Sequence, residues 1–271
     1  MSNLFTKAFK ILSEEGLINY YKRKRNITFL DNKTIFKMNY RGKTTKIALN
    51  RKNGHVDMMI FKHGIYEKDI IDEIFKTLTP EKNFIDIGSN IGQHSLLLSP
   101  YCKNVYAFEP IKEIYEQFQK SKNLNQFHNI NIFNLAIGSK KETKTFNLVE
   151  GHAGTSSFVK RKEENVKIIQ VHADTLENIL GEIKMDTVKI DVEGYEAVVI
   201  LGNKDKFQRD SPIIFMEYNP EWIINEGSYH PQELVNFFKE NGFQIFSKNM
   251  NKIMVYDEII FKGQDNWIVK K

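Results

Sequence analysis

From residue 66 onward the chain alternates between short apolar runs and amphipathic segments, and that rhythm leaves few folds open. Apolar runs at 84–87, 105–108, 130–133, 188–190, 213–216 and 243–246 read as strands. Helical spacing fills the intervals at about 67–78, 92–99, 112–124, 175–180, 195–201 and 231–241. Strands that are apolar on both faces and separated by helices predict an α/β fold. Its sheet is mostly parallel and twisted, with helices on both sides.

Two stretches depart from the rhythm. Residues 3–24 have the spacing of one or two amphipathic helices, and residues 27–61 read as a small antiparallel β unit with strands at 34–40, 44–49 and 56–61. Residues 142–171 hold two β-prone segments around the loop Gly151-His152-Ala153-Gly154-Thr155-Ser156-Ser157. An insertion there would lie over the strand ends where α/β proteins bind ligands. The expected organisation is an N-terminal helical and β extension over residues 1–62, then a Rossmann-like domain over 63–271.

Charge divides along the same line. Residues 1–55 carry thirteen Lys and Arg against Glu14, Glu15 and Asp31, a balance of +10, while the rest of the chain sums to −5. The cluster Lys22, Arg23, Lys24 and Arg25 adjoins the amphipathic segment. This pattern fits contact with an acidic acceptor or an anionic membrane surface, or alternatively a solvated lysine-rich face. The single cysteine, Cys102, excludes an internal disulfide framework. No apolar run approaches the roughly 20 residues that a membrane helix needs. A cytoplasmic location is expected.

The run Asp86-Ile87-Gly88-Ser89-Asn90-Ile91-Gly92 is a strand end, a glycine-rich turn and a helix start. A dinucleotide site would want glycine at position 90, where the backbone approaches a pyrophosphate. Asn90 stands there, and an acid precedes the turn, which suits a cationic cofactor such as S-adenosylmethionine. Glu109 ends the next strand and precedes Pro110, where a carboxylate can accept from both ribose hydroxyls. Asn134-Leu135-Ala136-Ile137-Gly138 forms a small-residue turn for an adenine ring. The expected cofactor lining is Asp86, Gly88, Ser89, Asn90, Gly92, Glu109, Pro110 and Ala136.

These motifs, with Gly154-Thr155-Ser156-Ser157 and Lys189-Ile190-Asp191-Val192-Glu193-Gly194-Tyr195-Glu196, resemble those of the FkbM-type methyltransferases over roughly residues 63–220. The resemblance implies a Rossmann-like class I methyltransferase fold and S-adenosylmethionine as cofactor. It also implies O-methylation, often of sugar hydroxyls on glycans or other metabolites. The basic N-terminal region lies outside it.

Asp191 and Glu193 follow the fourth strand, which is expected beside the cofactor strand. A hydroxyl acceptor holds its proton about as tightly as water, with a pKa of ~15.7, so a carboxylate, a histidine or a metal ion should assist its loss. Asp191 is the first candidate, its alternative role being a cap for the helix starting near Gly194. Glu217, ending the fifth strand, offers a further base or metal ligand. His152 is a loop candidate, His172 a weaker one, and a divalent metal is left open. Lys189 is expected to hold a carboxylate. Tyr218 and Trp222 are read either as an aromatic wall for a sugar ring or as core. The alternatives are a nucleic-acid methyltransferase, supported only by the N-terminal charge, and an NAD-dependent oxidoreductase, opposed by Asn90.

Overall fold

The structure is a computed structural model that describes residues 34–50, 54–149, 158, 166–256 and 263–271. The expected helices at 3–24, the basic cluster at 22–25 and the glycine- and serine-rich loop at 151–157 lie outside these residues.

The described chain opens with an antiparallel hairpin, β1 (Thr34–Tyr40) and β2 (Lys43–Leu49). Arg41 and Gly42 turn it at φ 46° and 78°, the left-handed pair that a two-residue hairpin favours. Helices α1 (His55–His63) and α2 (Lys68–Phe75) follow. The third strand expected at 56–61 is therefore a helix. Its buried residues, Asp57, Ile60 and Phe61, recur at helical spacing, and six mixed apolar residues fit either period. Tertiary contacts decide the matter: Asp57 accepts from Asn50 N–H at 2.6 Å and from Gln117 Nε2 at 2.7 Å.

The alternating unit then runs β3 (Asn83–Ile87), α3 (Gln93–Leu98), β4 (Asn104–Phe108), α4 (Lys112–Asn125) and β5 (Ile130–Phe133). Next come β6 (Ala136–Ile137), β7 (Glu142–Val149) and β8 (Val166–Asp174), which form a separate three-stranded sheet with β7 and β8 antiparallel. The chain continues through α5 (Leu176–Leu180), β9 (Thr187–Ile190), α6 (Glu196–Leu201), α7 (Lys204–Asp210) and β10 (Ile213–Tyr218). It ends with α8 (Pro220–Glu226), α9 (Pro231–Glu240), β11 (Gln244–Ser247), β12 (Lys252–Ile253) and β13 (Asp265–Lys270).

Eight strands form the central sheet in the order β12-β11-β13-β10-β9-β3-β4-β5. Strands β3, β4, β5, β9 and β10 are parallel, while β13 runs antiparallel between β10 and β11. The chain builds outward from β3 through β4 to β5, then returns to place β9 on the other side of β3. The crevice beyond the carboxyl ends of β3 and β9 is thus the topological switch point, where open α/β sheets bind ligands.

Strand alternation sorts the core onto two faces. Ile85, Ile87, Val188, Ile190 and Met216 join one buried cluster, while Phe84, Val105, Ala107 and Phe215 join the other. The hairpin residues Phe36, Met38, Ile47 and Leu49 belong to that second cluster, and α1 runs across residue 62, so the hairpin shares a core with the sheet. Among the described residues, no helix is long and apolar enough to cross a membrane.

Candidate active site

The turn after β3 is held from two sides. Gly88 and Ser89 N–H both donate to Phe108 C=O, at 3.1 and 3.0 Å, and Asp191 N–H donates to Ile87 C=O at 3.0 Å. Gly88 has φ 79°, and a Cβ there would lie 1.9 Å from Asp191 C=O, so only glycine lets the two strand ends approach. Gly92, at φ 80°, packs against a helix. Its missing Cβ leaves room for the Phe118 ring of α4, which would lie 2.2 Å away, rather than for the sheet.

Glu109 closes the turn. It is 5% exposed, with Oε2 accepting from Asn90 N–H at 3.0 Å and Oε1 from Ile111 N–H at 2.8 Å. Burial pushes its carboxyl up to about 7, against the pull of those two N–H groups. Each oxygen keeps acceptor capacity for a further donor. Around it lies a narrow pocket lined by Gly88, Asn90, Pro110, Ala136, Phe146 and Phe158. A carboxylate beside small and aromatic apolar groups fits a ribose with its adenine.

A wider cleft of about 430 Å³ adjoins this pocket, and the two share Gly88, Asn90, Asp191 and Glu193. Ser89 lines the wide cleft alone of the two. Two residues of the expected lining reach neither cavity. Gly92 packs on Phe118, as above. Asp86 is fully buried within β3, where its Oδ2 accepts from Ser95 Oγ at 2.6 Å, tying the strand to α3. Asp86 shares a strand face with Phe84, and that face is core.

Lys189 stands opposite Asp86 in the parallel β3–β9 register and is 6% exposed. Its ammonium lies 2.9 Å from Asp191 Oδ2. Burial disfavours the charge, yet the carboxylates of Asp191, Asp86 and Glu67 outweigh it and push the lysine above its ordinary range. The loop beyond β9 is pinned by a residue to which the sequence pattern gave no role. Buried Glu196 accepts from Val192 N–H at 3.1 Å and from Gly194 N–H at 3.0 Å, and its carboxyl is pushed up to about 8, chiefly by burial. The loop holds Glu193 at a left-handed φ of 56°. Such a conformation costs on the order of 1–3 kcal/mol and clusters at functional sites.

Glu217 lies in the same cleft, hydrogen-bonded by Gln264 Nε2. One oxygen each from Asp191, Glu193 and Glu217 falls within 4.8 Å of the others, so the three carboxylates converge. Trp222 lines the cleft, whereas Tyr218 is core, fully buried and stacked on Trp267 with ring centroids 3.7 Å apart. His152 lies outside the described residues. His172 sits on β8 beside Thr143 Oγ1 at 3.2 Å and lines neither cavity. The cleft also contains Tyr66, Glu67, Gln93 and His94, which sequence patterning did not single out. Their signal was slight: a Tyr-Glu pair just after Gly64 at a helix start, and two polar residues directly after the glycine-rich turn.

A model of the methyltransferase FkbM domain matches residues 86–245, more than half of the chain. No curated protein matches the sequence significantly. Similar solved structures include the methyltransferase FkbM of Methylobacillus flagellatus KT, at 12% identity and TM-score 0.44, covering 79% of this chain and 53% of that one. A precorrin-6y C5,15-methyltransferase from Geobacter metallireducens GS-15 aligns at 11% identity and TM-score 0.43, covering 76% and 89%. TYW2 of M. jannaschii, in complex with AdoMet, aligns at 15% identity and TM-score 0.42, covering 89% and 86%. The matched segment holds the glycine-rich turn, Glu109 and the loop after β9, and on that match the chain belongs to the FkbM methyltransferase domain family, as an S-adenosylmethionine-dependent methyltransferase of Rossmann-like class I architecture.

Proposed function

We propose that the protein methylates a hydroxyl group of a sugar, glycan or related metabolite. The observation that carries this reading is the composition of the wide cleft where it meets the narrow pocket. There Asp191, Glu193 and Glu217 converge in a cleft that Trp222 also lines. Carboxylates accept from hydroxyls, and flat aromatic faces cover the C–H side of a sugar ring.

In this reading Glu109 binds the ribose hydroxyls of the cofactor, and Gly88, Asn90, Pro110 and Ala136 shape its nucleoside pocket. When bound, the cofactor supplies a methyl group on a positively charged sulfur. The four residues shared by the two cavities would line the passage between cofactor and acceptor. Asp191, fixed by Lys189, orients the acceptor oxygen there, and alignment of this kind supplies much of the acceleration of an in-line displacement. The carboxylate trio is also suited to a divalent cation.

We place the reaction in the cytoplasm, a reading supported by the lone, buried thiol of Cys102, and assign the basic residues 1–55 to an acidic acceptor or an anionic membrane surface. The test is transfer of labelled methyl groups from S-adenosylmethionine to cell extract separated into glycan, lipid-linked, nucleotide-sugar and RNA pools. Label should enter a carbohydrate pool, resist mild base as an ether does, and emerge in an O-methyl sugar after acid hydrolysis. Label confined to RNA would overturn the reading. Replacing Lys22, Arg23, Lys24 and Arg25 with glutamine should raise the Michaelis constant for that acceptor at low salt, with the effect shrinking as salt rises. Unchanged acceptor kinetics at low salt would make the cluster a solvated face.

A further inference from the structure

Glu67 and His94 form a corner of the wide cleft that has no counterpart in the roles assigned above. Gln93 builds this corner. Its Oε1 accepts from Tyr66 N–H at 2.8 Å and its Nε2 donates to Tyr66 C=O at 2.7 Å, clamping the entry to α2 onto the first turn of α3. Glu67 is thereby fixed at a left-handed φ of 50°. A side chain held in strained backbone beside a cleft has been positioned at a cost, and such sites gather where chemistry needs them.

His94 supplies a second, independent observation. Its Nε2 is one of two buried side-chain polar atoms among the described residues without a hydrogen-bond partner, the other being Asp86 Oδ1. It lies 3.8 Å from Glu67 Oε2. Two polar atoms at that separation are too far apart to bond each other. They are well placed to share one oxygen lying about 2.8 Å from each. An orphaned buried atom of this kind calls for a partner that the folded chain does not provide.

We propose that Glu67 is the catalytic base of the transfer, its carboxylate accepting the acceptor hydroxyl while His94 Nε2–H donates to the same oxygen. The proposal rests on reading the wide cleft as the acceptor site. Glu67 takes the hydroxyl proton as the oxygen attacks, and the new O–CH₃ bond forms from the oxygen's electron pair. The S–CH₃ bond breaks with its pair returning to sulfur, and the proton passes from Glu67 to solvent. Nothing is oxidised or reduced.

The electrostatic surroundings agree. Burial first, then the Asp191 carboxylate, push Glu67 up to about 7 against the pull of Lys189, with Glu217 and Asp69 adding to the rise. A base near neutrality combines an unprotonated state with appreciable proton affinity. Burial, helped by Lys189, holds His94 well below its ordinary range, so its imidazole is neutral and donates without carrying charge. The titratable groups facing Glu67 are Tyr66 and Asp69 beside it, His94 from α3, Lys189 from β9, Asp191 from the loop after it, and Glu217 from β10.

The competing role for Glu67 is a contact to the ammonium group of the cofactor, and the experiment separates the two. Calorimetry should show Glu67→Gln binding S-adenosylmethionine within twofold of the parent, which also shows that the variant is folded. Carbon-13 spectra of glutamate-labelled protein, with Glu67 assigned by its loss in that variant, should show a carboxyl titrating near 7 that persists when the cofactor is saturating. With a panel of methyl glycosides as acceptors, Glu67→Gln should lose at least a hundredfold in kcat, together with the rise of kcat through neutral pH, while Glu67→Asp retains part of both. A tenfold or greater loss of cofactor affinity, or a titration abolished by the cofactor, would overturn the proposal, as would parental turnover in Glu67→Gln. If the parent methylates none of the glycosides, the sugar reading fails, and the binding and titration measurements still decide the place of Glu67.

Discussion

At the scale of single residues, the proposed function gives Glu109 a part in binding and Asp191 a part in transfer, and two substitutions test the division. Glu109 offers its carboxylate to the narrow pocket while receiving two backbone N–H groups. Glu109→Ala should weaken S-adenosylmethionine binding by roughly 1.5–3 kcal/mol, the worth of hydrogen bonds to a charged group. Asp191→Asn keeps the shape beside Lys189 and should bind the cofactor normally while losing most transfer. Calorimetry and a transfer assay on both variants check the split; parental turnover in Asp191→Asn would reduce Asp191 to the partner of Lys189. Glu109, Asn90 and Asp191 could be picked out from sequence because each sits at a strand end, a position set by its own neighbours. Glu67 and His94 could not, because their meeting depends on how α2 and α3 pack. Asp86 was misplaced for a readable reason: alternation puts it on the face of Phe84, toward α3 and away from the crevice.

At the scale of elements, the turn between β3 and α3 is where two strand ends and a helix must meet without side chains between them. Gly88→Ala would bring a Cβ within 1.9 Å of Asp191 C=O at a φ of 79°, so the loop carrying Asp191 must move. The variant should melt several degrees lower, and S-adenosylmethionine should no longer raise its melting temperature. Gly181→Ala is the control, since at φ 50° it meets no atom within 4 Å and bears backbone strain alone. Equal behaviour of the two in thermal melts with and without cofactor would contradict the packing argument. The alternating helices and strands were legible because each is long enough to show its period. The six residues at 56–61 were not, because a helix and a strand bury nearly the same members of so short a run, and Asn50 and Gln117 decide between them. Strand β13 went unread although Asp265, Trp267 and Val269 alternate inward, because its antiparallel place between β10 and β11 breaks the parallel pattern.

At the scale of the whole molecule, buried carboxyls sit at separate joints of the fold, and three of them, with Glu67 and Asp86 shifted in the same direction, shape how stability depends on pH. Asp57 lies between the hairpin and α4, Glu109 in the cofactor turn, and Glu196 under the loop after β9. Burial is the largest cause in each case, raising them to about 6, 7 and 8 from ordinary values of 3.8, 4.5 and 4.5. A carboxyl raised on folding binds its proton more tightly in the native state. Its contribution is complete below the unfolded value and is lost as pH rises through the folded one. His94 works in the opposite sense, because burial holds it neutral in the fold while the unfolded chain takes up a proton below about 6.5. Below that pH His94 offsets one of the three gains, and Glu109 and Glu196 continue to add stability down to their unfolded values; above it they act with no such opposition. The cofactor-free protein should therefore be most stable near pH 5 and lose on the order of a few kcal/mol by pH 8, a fall of roughly 5 °C or more in Tm. Glu196→Gln should flatten the part of that slope between pH 7 and 8, since its amide cannot ionise. Melting curves at unit steps from pH 5 to 8 provide the measurement, and a Tm still climbing between pH 6 and 8 would mean that these carboxyls are charged and satisfied in the fold.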